Sequence, residues 1–257
     1  MTDDLVKNGD TIAVWFSCGA ASAVAAMLTV KKYGNICNVR ILNNPIAEED
    51  FDNFRFLNDV EQWIGKPIEF VKSKKYPTSS ARDVWEHRKF MSGVAGAPCT
   101  LELKKRARQE WEKSNHVDWH VLGFTFDEKK RHDRFVFTER SNLIPVLIDV
   151  KFTKQDCYDY LKEAKINPPQ IYSLGYPNAN CIGCVKATSA TYWNHVRKHH
   201  PLVFDDRAAQ SRNLGAKLCR HNGKRIFLDE LPETAKGRSM KGMNFECGIF
   251  CEEKSND

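Results

Sequence analysis

A chain of 257 residues has room for one large domain, or one domain with an appendage, at the usual ~100–200 residues per domain. Hydrophobic residues at 42% and charged residues at 28% exclude the composition of a disordered chain, and no apolar run reaches the ~18–20 residues that cross a bilayer. Lys and Arg number 39 against 33 Asp and Glu, a formal charge of +6. The excess is gathered in runs such as Lys104-Lys105-Arg106, Lys129-Lys130-Arg131 and Arg197-Lys198-His199-His200. Each run alone reads as a solvated face; together they suit an anionic ligand, either a nucleotide or a nucleic-acid backbone. The acidic start Met1-Thr2-Asp3-Asp4 is not that of a secretory signal, so the expected address is the cytoplasm, with no membrane partner. In a reducing compartment the nine cysteines point to thiol chemistry, metal binding or burial rather than disulfides.

Residues 11–16, TIAVWF, are short, apolar and rich in β-formers, and predict a buried strand. A run of small residues follows, then the alanine-rich AVAAMLTVKKY, which predicts a helix ending near Gly34. A second strand is expected at 38–43, a helix at 49–64 with Phe51, Phe54, Val60 and Trp63 among its apolar positions, and a third strand at 67–71. This alternation predicts an α/β fold, a doubly wound, mostly parallel sheet covered on both faces. Further on, a helix is expected at 101–111 and strands at 119–124 and 143–148. Thr153 reads as the cap of a helix through Tyr158 and Leu161. After Pro168-Pro169 cysteines, glycines and basic residues dominate, with helices expected near 187–199 and 205–214. Residues 10–164 read as the α/β core, and 165–257 as a Cys-rich segment closing over it.

Three constellations carry chemistry. Ser17-x-Gly19-x-x-Ser22, with Cys18, Ala20 and Ala21 between, lies between a strand and a helix. Small residues there let backbone N–H groups approach phosphate oxygens, and the helix start adds partial positive charge. The same residues also suit close packing alone. The loop has neither a Walker lysine nor the three glycines of a dinucleotide fingerprint. In the second constellation, Cys181-x-x-Cys184 reads either as a redox pair or as half of a four-thiol metal site whose partners come from Cys99, Cys247 and Cys251. Thiolates suit an iron–sulfur cluster or zinc, and spacing does not choose between them. Cys18, Cys37, Cys157 and Cys219 read as small core or surface residues. The third is the charged run from Gly123 to Arg134 at the carboxyl end of a predicted strand, where ligands of open α/β sheets bind. Glu128 there is placed to orient a nucleotide and Arg131 to pair with phosphate, against the plainer reading of a solvated turn.

Taken together, these segments resemble the phosphoadenosine phosphosulfate (PAPS) reductase-like family of the adenine-nucleotide α-hydrolase, or PP-loop, superfamily. The resemblance runs from Thr11 to Cys251. It is strongest over Pro145-Val146-Leu147-Ile148-Asp149-Val150, Thr153-Lys154-Gln155-Asp156, Ile171-Tyr172-Ser173-Leu174-Gly175-Tyr176-Pro177-Asn178 and the Cys181–Cys184 pair. Ser17 to Ser22 is similar to the PP-loop, Gly123 to Arg131 to the family's Gly-x-Arg-x-x-Glu-x-x-x-Arg element, and Glu246-Cys247-Gly248 to the tail that carries the reductase nucleophile. The resemblance implies an adenine nucleotide, ATP or PAPS, at Ser17, Cys18, Gly19, Ala20, Ala21, Ser22, Gly123, Glu128 and Arg131. It implies Cys247 as nucleophile, with a dithiol reductant as partner. Cys99, Cys181, Cys184 and Cys251 then hold an iron–sulfur cluster, with zinc as the alternative. Three departures stand out: Phe250 in place of the tail His, Thr100 after Cys99 in place of a second Cys, and Thr125 in place of the first Arg. They keep two other readings open. One is ATP-dependent adenylation with sulfur transfer to a nucleic acid. The other is a non-catalytic nucleotide- or nucleic-acid-binding module with structural zinc, using Lys104, Lys105, Arg197 and Lys198 for phosphate contacts.

Overall fold

The computed structural model describes residues 5–93 and 96–240. In chain order the elements are β1 (Thr11–Trp15), α1 (Ala20–Tyr33), β2 (Asn38–Asn43), α2 (Asp52–Ile64), β3 (Ile68–Phe70), α3 (Ala81–Arg88), α4 (Pro98–Thr100), a π-helical run Leu101–Arg106, α5 (Ala107–Glu112) and β4 (Trp119–Val121). There follow α6 (Lys129–Thr138), α7 (Val146–Asp149), α8 (Lys154–Glu163), α9 (Ala190–His199), α10 (Pro201–Asn213), β5 (Cys219–His221) and β6 (Lys224–Ile226). The chain divides into two units. Described residues up to 44, 51–71 and 109–170 form the first, and 45–50, 72–108 and those from 171 on form the second.

The first unit is the expected parallel sheet, in the order β3-β2-β1-β4. Thr11 lies opposite Asn38, Ile12 opposite Trp119 and Ile41 opposite Ile68. β1 is apolar at successive positions because helices cover both faces. Ile12, Val14 and Phe16 pack in one cluster with Ala23, Val24, Phe56 and Leu161, while Trp15, on the opposite face, meets Trp111 of α5 edge-on at 5.8 Å. The alanines of α1 keep that helix close to the sheet, and Ala20, Ala23, Ala25 and Ala26 are all buried.

The second unit is where the observed division differs from a single boundary at 164/165. Segments 45–50 and 72–108, read from sequence as core, belong with the Cys-rich part, because Ile46, Trp85, Met91 and Cys99 share one apolar cluster with Tyr176, Ile182 and Trp193.

Other expectations are corrected locally. No strand runs over 143–148: Leu143 makes one bridge to His120, and Pro145, which has no N–H for a ladder, turns the chain into α7. Residues 126–138 are a 3₁₀ turn followed by α6 rather than a solvated turn, and the helix expected at 101–111 opens as a π-helix. Thr153 caps α8 as expected, its Oγ1 accepting from Asp156 N at 3.2 Å. Two elements were not anticipated. One is α3, capped by Ser80, and the other is the β5–β6 hairpin, which turns at Asn222-Gly223 with φ of 48° and 75°. Among the described residues no helix is long and apolar enough to cross a membrane.

Candidate functional site

β1 ends at the carboxyl edge of the sheet, and a short turn carries the chain into α1. Cys18 takes a φ of 55°, a left-handed conformation that costs a non-glycine residue roughly 1–2 kcal/mol. The surrounding hydrogen bonds hold it there. The buried Ser22 Oγ accepts from Ser17 N at 3.1 Å and from Gly19 N at 3.3 Å, donates to Gly19 O at 2.9 Å, and lies 3.2 Å from Ser17 Oγ. From the end of β2, Asn43 Nδ2 donates to Phe16 O at 2.8 Å and lies 3.6 Å from Cys18 Sγ.

Gly123 completes this arrangement. A Cβ on Gly123 would stand 2.8 Å from Ser22 N, 3.0 Å from Ser22 Cα and 3.1 Å from the carbonyl carbon of Ala21. Only glycine lets the chain leaving β4 press against the first turn of α1. Two of the sequence-predicted segments, the Ser17 to Ser22 loop and Gly123, are therefore in contact. Ser17 is exposed, and the leading N–H groups of α1 have no acceptor within the helix, so the turn offers donors and a positive helix end to an anion. At the same sheet edge Asn44, 6% exposed, gives its Nδ2 to Val71 O at 2.7 Å and leaves its buried Oδ1 without a partner. The exposed turn thus offers backbone donors, and the Asn44 oxygen is closed to solvent.

Glu128 and Arg131 pair with each other, Arg131 donating to Glu128 Oε1 at 2.8 Å while its guanidinium covers Phe124 at 4.9 Å. The other Glu128 oxygen accepts from Thr125 N at 3.2 Å and Thr125 Oγ1 at 3.3 Å. Glu128 is thus a capping residue of its own 3₁₀ turn.

The thiols lie in the second unit. Cys99 opens α4 behind Pro98. Cys181 and Cys184 flank Gly183, whose φ of 67° turns the loop. Ile182 N donates to Glu48 O at 2.9 Å, and Cys184 N donates to Tyr192 Oη at 2.9 Å. All three cysteines pack in the same apolar cluster. Among the described residues no three His, Cys, Asp or Glu side chains converge on a metal position, and Cys247 and Cys251 lie outside the described residues. Cys157 and Cys219 behave as core residues: burial pushes their thiols up to about 12 and about 11.

Two of the basic residues expected to contact phosphate are committed elsewhere. Lys104 is buried, 3.5 Å from Glu49. Arg197 covers Phe204 at 4.2 Å and donates to Asn194 Oδ1 and to the Leu231 carbonyl, both at 2.8 Å.

No family model and no curated protein matches the chain. Solved structures do. Phosphoadenylyl-sulfate (PAPS) reductase from Candida auris, in a phosphate complex, is 12% identical with a TM-score of 0.46, covering 66% of this chain and 80% of that one. The U34-tRNA thiolase NcsA from Methanococcus maripaludis, with its [4Fe-4S] cluster, is 14% identical with a TM-score of 0.44, covering 82% of this chain and 74% of that one. The chain is similar to both in fold. Sequence reasoning missed Asn43 and Asn44. Their one legible signal is two adjacent amides at the carboxyl end of a strand beside the loop.

Proposed function

We propose that the chain is a cytoplasmic, PAPS reductase-like enzyme that binds an adenylyl nucleotide at Ser17 to Ser22 and performs thiol-based sulfur chemistry. The observation that carries this is the close approach of Gly123 to the turn organised by Ser22, which leaves a donor-rich helix start at the sheet's carboxyl edge. In this reading Ser17 and the leading N–H groups of α1 hold phosphate oxygens. Cys247, as thiolate, attacks the sulfur of the sulfonucleotide. The S–O bond to phosphate breaks, its electron pair leaves with the nucleotide, and an S-sulfocysteine remains. One thiol of an external dithiol then attacks the cysteine sulfur and expels sulfite, and the second thiol restores Cys247 as the dithiol becomes a disulfide. Cys99, Cys181 and Cys184 are soft donors, but among the described residues no three such side chains converge, so no step is assigned to an iron–sulfur cluster or zinc.

A second reading is favoured by Thr125. It stands where the resemblance calls for an arginine, is 2% exposed, and gives its hydroxyl to Glu128, so it offers no cation to a sulfate. In that second reading a nucleic-acid oxygen attacks the α phosphate of ATP and pyrophosphate leaves, and a sulfide-level donor then attacks the activated carbon and expels the oxygen as part of AMP; neither step needs that cation. Two assays separate these readings. Sulfite release from PAPS with a dithiol, lost in Cys247→Ser, supports reduction. Pyrophosphate release from ATP that depends on tRNA or DNA supports sulfur transfer. Salt-sensitive nucleic-acid binding without nucleotide binding would overturn both in favour of a non-catalytic module.

A further inference from the structure

Helix α6 carries Phe135 and Phe137, which at ~3.6 residues per turn stand about 200° apart round the axis, so only one ring can face the core. Phe135 is buried and meets Phe124 at 5.8 Å, whereas Phe137 is 91% exposed. Lys130, Arg134 and Phe137 share about 60° of arc on the outward side, and both cations are exposed. Phe126, 42% exposed, stands in the 3₁₀ turn just ahead of the helix. A single exposed ring is ordinary at a protein surface. Here two rings bracket two cations along one segment.

The other charges of the segment are engaged locally. Lys129 donates to Asp133 Oδ2 at 2.6 Å, Arg131 to Glu128 Oε1 at 2.8 Å, and Asp127 Oδ2 accepts from Lys154 N at 3.3 Å. Lys130 and Arg134 have no ion-pair partner among the described residues. The segment also starts beside the nucleotide turn. Gly123 presses on Ser22, and the three residues from there to Phe126 span at most ~11 Å of chain.

We propose that this outward face is the docking surface for a single-stranded nucleic acid, its bases stacked on Phe126 and Phe137 and its phosphates met by Lys130 and Arg134. The inference rests on the second reading above, in which a nucleic-acid oxygen is the acceptor, and gives the strand its place next to the nucleotide turn. Every base has a π-face that a ring can cover, and cations meet phosphates whatever the sequence. In a duplex those faces are already stacked, so single strands are preferred.

The test reads fluorescence anisotropy of a labelled RNA of about 15 nucleotides, as single strand and as duplex, on the full chain at several salt concentrations. Phe137→Ala is expected to weaken single-strand binding about 10-fold. Replacing both Lys130→Ala and Arg134→Ala should lower the slope of log affinity against log salt by about 1.4, ~0.7 per phosphate contact. Phe51→Ala, which removes a ring 85% exposed elsewhere in the same unit, should change neither. All these side chains are exposed, so melting temperatures are expected to match wild type. Single-strand binding that survives Phe137→Ala and the double variant, in protein that releases pyrophosphate from ATP in response to RNA, overturns this surface alone. Retention on phosphatidylserine vesicles that Phe137→Ala abolishes, with RNA affinity unchanged, overturns it in favour of a membrane surface. Wild type that binds neither form of RNA and shows no RNA-dependent pyrophosphate release removes the second reading and the surface together. Stripe-dependent RNA binding without ATP turnover upholds the surface and removes sulfur transfer.

Discussion

Ser22 concentrates several tasks in one hydroxyl. Its Oγ satisfies two backbone donors of the loop while itself only 4% exposed, so Ser22→Ala leaves both N–H groups of Ser17 and Gly19 short of an acceptor. A loss of about 1–3 kcal/mol in denaturant unfolding is expected, with nucleotide affinity falling further than stability alone accounts for. Gly123→Ala meets backbone rather than a flexible side chain, and is expected to cost roughly 1–3 kcal/mol by the same measurement. Cys157 offers a check in alkali. Burial raises its thiol from 9.0 to about 12, so the folded protein keeps a proton that the unfolded chain gives up above pH 9. That contribution is fully present below pH 9 and is lost as pH rises toward 12. Wild type should therefore lose denaturant resistance between pH 8 and pH 10 more steeply than Cys157→Ala. The loop is legible as a strand-to-helix turn because small residues separate an apolar, β-forming run from an alanine-rich run. Asn43 is not, because its bond to Phe16 exists only once β2 lies beside β1.

At the scale of elements, agreement follows local chemistry. Thr153 announced α8 because its hydroxyl and the Asp156 carboxylate close a reciprocal cap, with Thr153 N donating to Asp156 Oδ2 at 2.7 Å. Thr153→Ala should cost about 0.5–2 kcal/mol, read as a shift in the urea midpoint. The strand expected at 143–148 failed because apolar content alone does not distinguish a buried strand from a buried turn of helix. Pro145 and the closing bond from Phe152 N to Leu147 O at 2.8 Å decide for the turn. The β5–β6 hairpin has its own short-range signal. Asn222-Gly223 is the dipeptide that a two-residue turn with two positive φ values favours, but it sits between strands of only three residues each.

Across the whole molecule, composition and alternation were enough for the α/β class, and the sheet order agrees with it. The division into units was not legible, because it depends on which distant apolar side chains share a core. Trp85, Met91 and Leu103 are ordinary hydrophobic residues in sequence, yet each packs in the cluster that holds Ile182, Tyr192 and Trp193. A fragment of residues 165–257 is therefore expected to show no cooperative thermal transition by circular dichroism, whereas the full chain does.

The interleaving of segments also bears on how the chain emerges from a ribosome. The stretch holding Trp85 and Met91 is translated well before residues 171–240, which supply the rest of its cluster. At ~5–20 residues per second, the 62 residues between 108 and 171 take roughly 3–12 s. Throughout that interval a large apolar surface waits uncovered, so a holding chaperone has most to offer this polypeptide midway through its synthesis rather than after release.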